Sequence, residues 1–364
     1  MKVALFFHLG GDIDVLSQFL TVGLSSKPRV LVSEKLLKTN RRLSVLLDEY
    51  NVAPSSVIGS KDTSEEFANA LYGCTHLLTS SESTLRPHKL ANSLVEAANQ
   101  MGLVTATLQH GVENIGLTYF DDIQGPDTEF SSQLVMTWNG SENLLPNVSS
   151  RTTAKVVDVG LPSSKPDGVF KKIAAKLKFN CEMKTAIGVF ENLHWTRYSE
   201  SYRGQFLEDL QFATDAFPDF LFVTKPHHEG RWLSDRFTGS PPKNNNLLIV
   251  DPKDSMWNLL TAPSLLPYMA GVVTTPSKVA LDSSLSRIPT AVASYDGSYS
   301  YYKELPALKN RQDWASFLEK IQSGETSRLV EQTVEFVKAT VSSIDEPQRV
   351  IAALSRFLPP AAKP

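Results

Sequence analysis

Phe220-Leu-Phe-Val-Thr224 runs straight into Lys225-Pro-His-His-Glu229, and farther on Gly271-Val-Val-Thr274 runs into Thr275-Pro-Ser277 and then Lys278-Val-Ala-Leu-Asp282-Ser-Ser-Leu285. Each apolar run has the length of a buried strand, and each ends in polar turn residues. Parallel strands present their carboxyl ends along one edge of a sheet, and ligands bind at that edge. Lys225 and His227 are therefore expected beside Thr275, Ser277 and the amides that open the following helix. Cations, hydroxyls and a helix N-terminus together make an anion site, most economically a phosphate site. Asp282, one turn into that helix, is placed to accept bonds from sugar hydroxyls. The stretch reads as a nucleotide-sugar pocket.

Outward from this stretch, apolar runs alternate with helix-period segments along most of the chain. The first half holds strand patterns at Val3 to Leu9, Arg29 to Val32, Val57 to Ile58, His76 to Thr79, Val104 to Leu108, Leu134 to Trp138 and Val156 to Val159. Helical patterns lie between them, at Asp14 to Val22, Leu36 to Tyr50, Ser64 to Leu71 and Lys89 to Met101. Turn chemistry in Ser163-Ser-Lys-Pro-Asp-Gly168 breaks the series. A second set follows at Thr185 to Phe190, Phe220 to Thr224, Leu247 to Val250, Gly271 to Thr274 and Thr290 to Ser294, and the chain closes in three helical patterns. Continuous apolar strands separated by helices predict α/β architecture with parallel sheets covered on both faces. The expected organisation is an N-terminal domain of residues 1–163, a C-terminal domain of 164–342, and a terminal helix and tail, 343–364, crossing back.

A length of 364 residues suits roughly two domains of 150 to 200 residues each. The net charge of -3 argues against a nucleic-acid surface. Cys74 and Cys181 fit no metal or disulfide spacing, which points to a reducing compartment and two small core residues. Met1-Lys-Val-Ala-Leu-Phe-Phe-His8 lacks the length and flanks of a signal peptide, and no apolar run reaches the roughly 18 residues of a membrane span. The expectation is a cytoplasmic protein, with peripheral contact at the cytoplasmic face of the inner membrane left open.

Two Rossmann-like halves joined by one linker resemble the GT-B glycosyltransferases. That resemblance implies two parallel sheets facing a central cleft, the acceptor on the first half and the nucleotide sugar on the second. Lys225-Pro-His227 is similar to the K-x-H-P signature of bacterial surface- and capsule-polysaccharide transferases, among them sialyl-, polysialyl- and Kdo-transferases and teichoic-acid polymerases; here His228 replaces the proline. In those families the histidine contacts the nucleotide phosphate. Thr275-Pro-Ser277, Asp282 and Arg287-Ile-Pro289 resemble the hydroxyl turn, acidic helix and G-x-P of the same fold, with aspartate for the commoner glutamate and Arg287 near the usual glycine. The alternative for Lys225 and His227 is a surface turn with solvated charges, and for Ser277 a plain helix N-cap; capping and phosphate binding are compatible.

Glu191 ends the first strand of the second half, and a carboxylate leaving a buried strand is costly unless used or paired. It fits a donor ligand, a nucleophile in a retaining reaction, or a cap for the helix after Thr196. His194 and Trp195 follow too closely for all three to share one pocket. In the first half, Gln109-His110-Gly111-Val-Glu113 follows Val104 to Leu108; His110 or Glu113 fits a general base for an acceptor hydroxyl. A Q-H-G at this place is also similar to the capsule-polysaccharide transferases. His8-Leu-Gly10-Gly11-Asp12 lacks the third glycine of a dinucleotide fingerprint. Arg86 suits an anionic acceptor, and Asp121-Asp122 reads better as a solvated turn than as a metal site.

The family resemblance implies a metal-independent enzyme with no cofactor, moving a sugar from CMP-Kdo, or next CMP-sialic acid, to a surface-polysaccharide or glycolipid acceptor. Association with a polysaccharide synthase complex is left open. A UDP-GlcNAc 2-epimerase is the alternative on the same fold, since its H-V-E-A-G signature is similar to His110-Gly-Val-Glu113-Asn; Gly111 intrudes and Asn114-Ile115 replaces alanine-glycine. A non-catalytic nucleotide-sugar-binding subunit of a synthase is the reading outside the enzymes.

Overall fold

The computed structural model describes residues 1–21, 26–120, 128–162, 168–176, 185–227, 230, 232–251, 253–297, 299–345 and 347–357. The chain forms two compact units, Met1–Ser164 with Thr340–Pro364, and Lys165–Ala339. The expected boundary at residues 163–164, Cys181, His228 and the Asp121-Asp122 pair lie outside the described residues.

The first unit is built on a seven-stranded sheet of β1 (Val3–Phe7), β2 (Arg29–Ser33), β3 (Ser56–Ile58), β4 (His76–Thr79), β5 (Val104–Leu108), β6 (Leu134–Thr137) and β7 (Val156–Asp158). Its order is β3-β2-β1-β4-β5-β6-β7, and every pairing is parallel. β1, β4, β5 and β6 are buried along their whole length, which is why they read as unbroken apolar runs. The chain leaves β1 toward β2 and β3, then returns to lay β4 on the other side of β1, with Leu5 registered against both Val30 and Leu78. Strand order therefore reverses at β1 and β4, the place where α/β sheets open a binding crevice.

After β8 (Leu161–Pro162) the chain enters the second unit. Its six-stranded sheet contains β9 (Thr185–Glu191), β10 (Phe220–Pro226), β11 (Leu247–Ile249), β12 (Gly271–Thr274), β13 (Thr290–Ala293) and β14 (Ala307–Leu308). The order β11-β10-β9-β12-β13-β14 is again wholly parallel, and the reversal falls between β9 and β12. Helix Glu200–Ala216, capped by the Ser199 hydroxyl, lays Tyr202 and Phe206 into the core, where Phe206 meets Trp314 edge to face at 5.9 Å. Buried side chains of this size contribute about 1.5 to 3 kcal/mol each. Lys225 and Pro226 belong to β10 itself, registered against Phe190 and Glu191, so the basic turn begins only at His227. Proline fits there because β11 stops pairing at Thr224, leaving no ladder for a Pro226 N–H to serve.

The chain then returns to the first unit, where β15 (Ile344–Asp345) pairs with β8. The Ser342 N–H donates to the Trp138 carbonyl at 2.8 Å. Helix Gln348–Arg356 ends against buried His76, whose Nε2 lies 3.2 Å from the Leu354 and Phe357 carbonyls. Among the described residues no helix is long and apolar enough to cross a membrane. Cys74 is a buried free thiol, and burial pushes its pKa up.

Candidate functional site

In the second unit the carboxyl ends of β9, β10 and β12 are laced together by hydrogen bonds from main-chain N–H groups. The His227 N–H donates to the Glu191 carbonyl at 3.0 Å, the Thr275 N–H to the Phe190 carbonyl at 3.0 Å, and the Asn192 N–H to the Thr275 hydroxyl at 2.9 Å. Thr275 is fully buried and its hydroxyl serves this lacing. Ser277 is the half-buried N-cap of helix Lys278–Leu285, accepting from the Val279 N–H at 3.2 Å and sharing a 3.0 Å bond with the Thr274 hydroxyl. Asp282 pairs with Lys278 one turn earlier, both largely shielded. Lys225 is buried within β10.

Glu191 is 3% exposed. Its Oε2 accepts the Leu193 N–H at 2.5 Å, and its buried Oε1 has no hydrogen-bond partner among the described residues. Burial pushes its pKa up to about 7, against the Leu193 N–H and the nearby Arg203 guanidinium, which both favour the charged form. It is not the cap of the next helix; Ser199 does that, accepting from Tyr202.

The turn after Glu191 brings in a residue the sequence reading set aside. The Trp195 N–H donates to the Asn192 carbonyl at 3.0 Å, closing a four-residue turn that carries the His194 ring onto His227 at a centroid distance of 4.9 Å. Gly230 lies on the His194 ring so closely that a Cβ there would fall 1.9 Å from it, so only glycine fits. Arg203 holds the turn by donating from Nε to the Leu193 carbonyl at 2.8 Å and from Nη2 to the Trp195 carbonyl at 3.0 Å. Close sequence spacing keeps Glu191, His194 and Trp195 from all sharing one pocket; the turn sets the His194 ring on His227 and edge-on to Trp195 at 6.2 Å. Arg287, where the resembling pattern carries glycine, has φ of 55°, the left-handed region that glycine enters without strain.

In the first unit, His110 stands just beyond β5, partly exposed. Its Nδ1–H donates to the Ser80 carbonyl at 2.7 Å, since a carbonyl can only accept, and this leaves Nε2 as the basic atom. Burial lowers its pKa, opposed by the Asp12 charge and the Ser80 carbonyl, so the ring is neutral at physiological pH. The His88 ring meets it edge-on at 6.1 Å and is held by a 2.7 Å bond to the Ser83 hydroxyl. Burial, with His110 and His8 nearby, drives the His88 pKa down to about 3. Gln109 staples the loop, accepting from the Trp138 N–H and donating to the Gly111 carbonyl, and Asn114 accepts the His110 N–H at 3.1 Å. Glu113 lies half-buried on the same loop.

Asp12 and Glu82 are fully engaged structural carboxylates. Asp12 accepts from the His8 and Leu9 N–H groups at 2.7 Å each and from the Ser80 and Ser81 hydroxyls, tying β1 to the loop after β4. Glu82 accepts from Asn92, from the N–H groups of Ser131 and Ser132, and from the Ser132 hydroxyl. Among the described residues no group of three or more His, Cys, Asp and Glu side chains is placed to hold a metal ion.

No family model matches the chain, and no curated protein matches it in sequence. Solved structures do match in fold. S. aureus MnaA, in a co-structure with UDP, aligns at a TM-score of 0.60 with 12% identity over 97% of this chain and 95% of that one. The UDP-GlcNAc 2-epimerase of Neisseria meningitidis bound to UDP-GlcNAc aligns at 0.60 with 12% identity, over 98% and 100%. A histidine variant of the wall teichoic acid polymerase TagF soaked with CDPG aligns at 0.62 with 15% identity, over 98% and 88%. The fold is GT-B. At these identities the likeness is one of fold alone.

Proposed function

We propose that this protein is a GT-B glycosyltransferase that moves a sugar from a nucleotide-sugar donor to a surface-polysaccharide or glycolipid acceptor, with CMP-Kdo the first donor and CMP-sialic acid the second. The observation that carries the reading is the fixed tautomer of His110, whose neutral Nε2 is presented as a base at the carboxyl edge of the first sheet. That atom takes the proton of the acceptor hydroxyl as its oxygen bonds to the anomeric carbon. The bond from that carbon to the phosphate oxygen breaks, and the electron pair leaves with the phosphate. In the second unit the His227 ring N–H, the Ser277 hydroxyl and the amides opening helix Lys278–Leu285 are the donors suited to that phosphate. Glu113 is the second candidate base. Glu191, Lys225, Thr275 and Asp282 support the nucleotide end, Thr275 by lacing strands and Asp282 through Lys278.

A second reading rests on a specific observation: a UDP-GlcNAc 2-epimerase bound to UDP-GlcNAc covers 98% of this chain with the same fold. The two readings separate cleanly in solution. A ligand that binds only the native state at about 100 times its Kd adds roughly 2.7 kcal/mol of stability. CMP is expected to raise the melting temperature more than UDP, GDP or CDP at equal concentration. A larger shift with UDP, together with conversion of UDP-GlcNAc to its C2 epimer without any acceptor, moves the protein to the epimerases. A larger shift with GDP or CDP also removes the keto-sugar donor.

His227→Ala is expected to weaken nucleotide binding about tenfold, the worth of one hydrogen bond to a charged group, with the fold intact because the ring lies outside the strand. Unchanged affinity in titration calorimetry would make His227 an ordinary partner of His194.

A further inference from the structure

Within the first unit, a groove of about 1120 Å³ runs along the carboxyl ends of β1, β2 and β3, between those strands and the helices Ser64–Leu71 and Lys89–Gln100. It exceeds the roughly 300 to 1,000 Å³ of a site built for one small molecule. Its floor is apolar: Ile58, Phe67 and Ala97 come from the buried cluster beneath, and Leu90 packs against it. Hydroxyl groups of Ser60, Ser64 and Ser93 line its sides.

The charges along this groove are unevenly committed. Glu34 is paired with Lys38, Asp62 accepts the Gly59 N–H at 2.8 Å, and Glu96 accepts from the Ser131 hydroxyl at 3.3 Å. Lys35, Arg86 and Lys89 are exposed, and their charged groups have no hydrogen-bond or ion-pair partner among the described residues. Three uncommitted cations above an apolar floor with hydroxyl walls suit a chain whose rings have flat apolar faces, many hydroxyls and fixed negative charges. One end of the groove is set by His8 and Pro87, joined by a 2.8 Å bond from the His8 Nε2 to the Pro87 carbonyl. The next residue, His88, has its ring against His110.

We infer that this groove is the binding site for an anionic oligosaccharide of several sugar units, whose growing end lies toward His110 and whose acidic groups meet Lys35, Arg86 and Lys89. The inference rests on the transferase reading and deepens it, because an enzyme acting on a nucleotide sugar alone has no use for a second extended site. A groove of this volume accounts for the cations at Lys35 and Lys89, which the nucleotide end does not involve.

The test uses the full chain and two probes of equal length, an oligogalacturonate and a neutral malto-oligosaccharide, titrated by calorimetry against wild type and the triple variant Lys35→Glu, Arg86→Glu, Lys89→Glu. Wild type is expected to bind the oligogalacturonate, more tightly than the neutral chain, and the triple variant to bind it at least about tenfold more weakly, with nucleotide binding unchanged. All three positions are exposed, so the variant is expected to fold, and a melting curve checks it. Equal binding of the oligogalacturonate by wild type and variant, preference for the neutral chain, or no oligosaccharide binding by a protein that binds nucleotide overturns the groove assignment alone. Failure to bind any nucleotide overturns the transferase reading beneath it.

Discussion

Replacing His110 with glutamine is expected to lower turnover by about 10²- to 10⁴-fold while nucleotide affinity stays within a factor of about two, the pattern of a lost general base. Glutamine can keep a donor toward the Ser80 carbonyl, so the loop held by Gln109 and Asn114 retains its shape, but it has no basic atom to replace Nε2. The pH profile separates chemistry from structure. Burial lowers the pKa of His110, so the unprotonated base persists below the ordinary histidine value of 6.5 and the acidic limb of kcat/KM falls below that pH. Removal of Asp12, whose charge raises that pKa, should move the limb lower still; Asp12→Asn is the conservative choice because its oxygen can still accept the His8 and Leu9 N–H groups while the Ser80 and Ser81 hydroxyls turn to accept from its NH2. Should His110→Gln retain wild-type kcat with the same acidic limb, the base is elsewhere, and Glu113 on the same loop is the residue to replace next.

Much of the fold was legible because both sheets are buried on both faces. A strand such as Val104–Leu108 has no polar side to show, so it stands out as a run of apolar and threonine side chains between helical segments. The smallest elements were not legible: β8, β14 and β15 are two residues each, fixed by neighbours rather than by pattern. Leu36 to Tyr50 read as one helix, yet Asn40 ends one at φ -112° and ψ 93° and caps the next through its side chain, accepting from the Leu43 N–H. A residue able to do both is invisible to periodicity.

At the candidate site the sequence located strand ends but not side-chain alliances. Glu191, His227 and Ser277 follow from the rule that ligands meet carboxyl ends of parallel strands. The stacking of His194 on His227 depends on a turn closed by one main-chain bond and on Gly230 far along the chain, which no spacing rule reveals. Asp12 and Glu82 are carboxylates whose sequence neighbours do not show that they are structural. Their partners lie tens of residues away, at Ser80, Ser81, Ser131 and Ser132, and consume their lone pairs in holding loops. Nothing in the spacing of His88 announces its surroundings; the fold sets its ring against His110, with His8 nearby, and burial leaves it neutral.

Glu191→Gln is expected to stabilise the second unit by on the order of 3 kcal/mol at pH 8 and to change it little at pH 4. The carboxyl has an ordinary value of 4.5 and titrates near 7 in the folded protein because burial opposes the charge. Between those values the folded state keeps a proton that the unfolded chain has released. The contribution of Glu191 to stability is therefore full below pH 4.5, falls as pH rises to about 7, and is constant above it. Glutamine resembles the protonated acid in shape, with an oxygen to accept the Leu193 N–H, and it never carries the charge. Four of the five tryptophans, at 195, 232, 257 and 314, belong to the second unit, so denaturant unfolding followed by fluorescence reports on it directly. The gap between variant and wild type should open from pH 4.5 to 7 and then stay level; a gap independent of pH, or one that closes as pH rises, would falsify the assignment of a neutral Glu191. The same neutrality bears on binding, since the Glu191 carbonyl accepts the His227 N–H and a charge on this residue would oppose the phosphate that the transferase reading places at that turn. Nucleotide affinity of the wild type should accordingly decline as pH rises through 7, and the affinity of Glu191→Gln should not follow it.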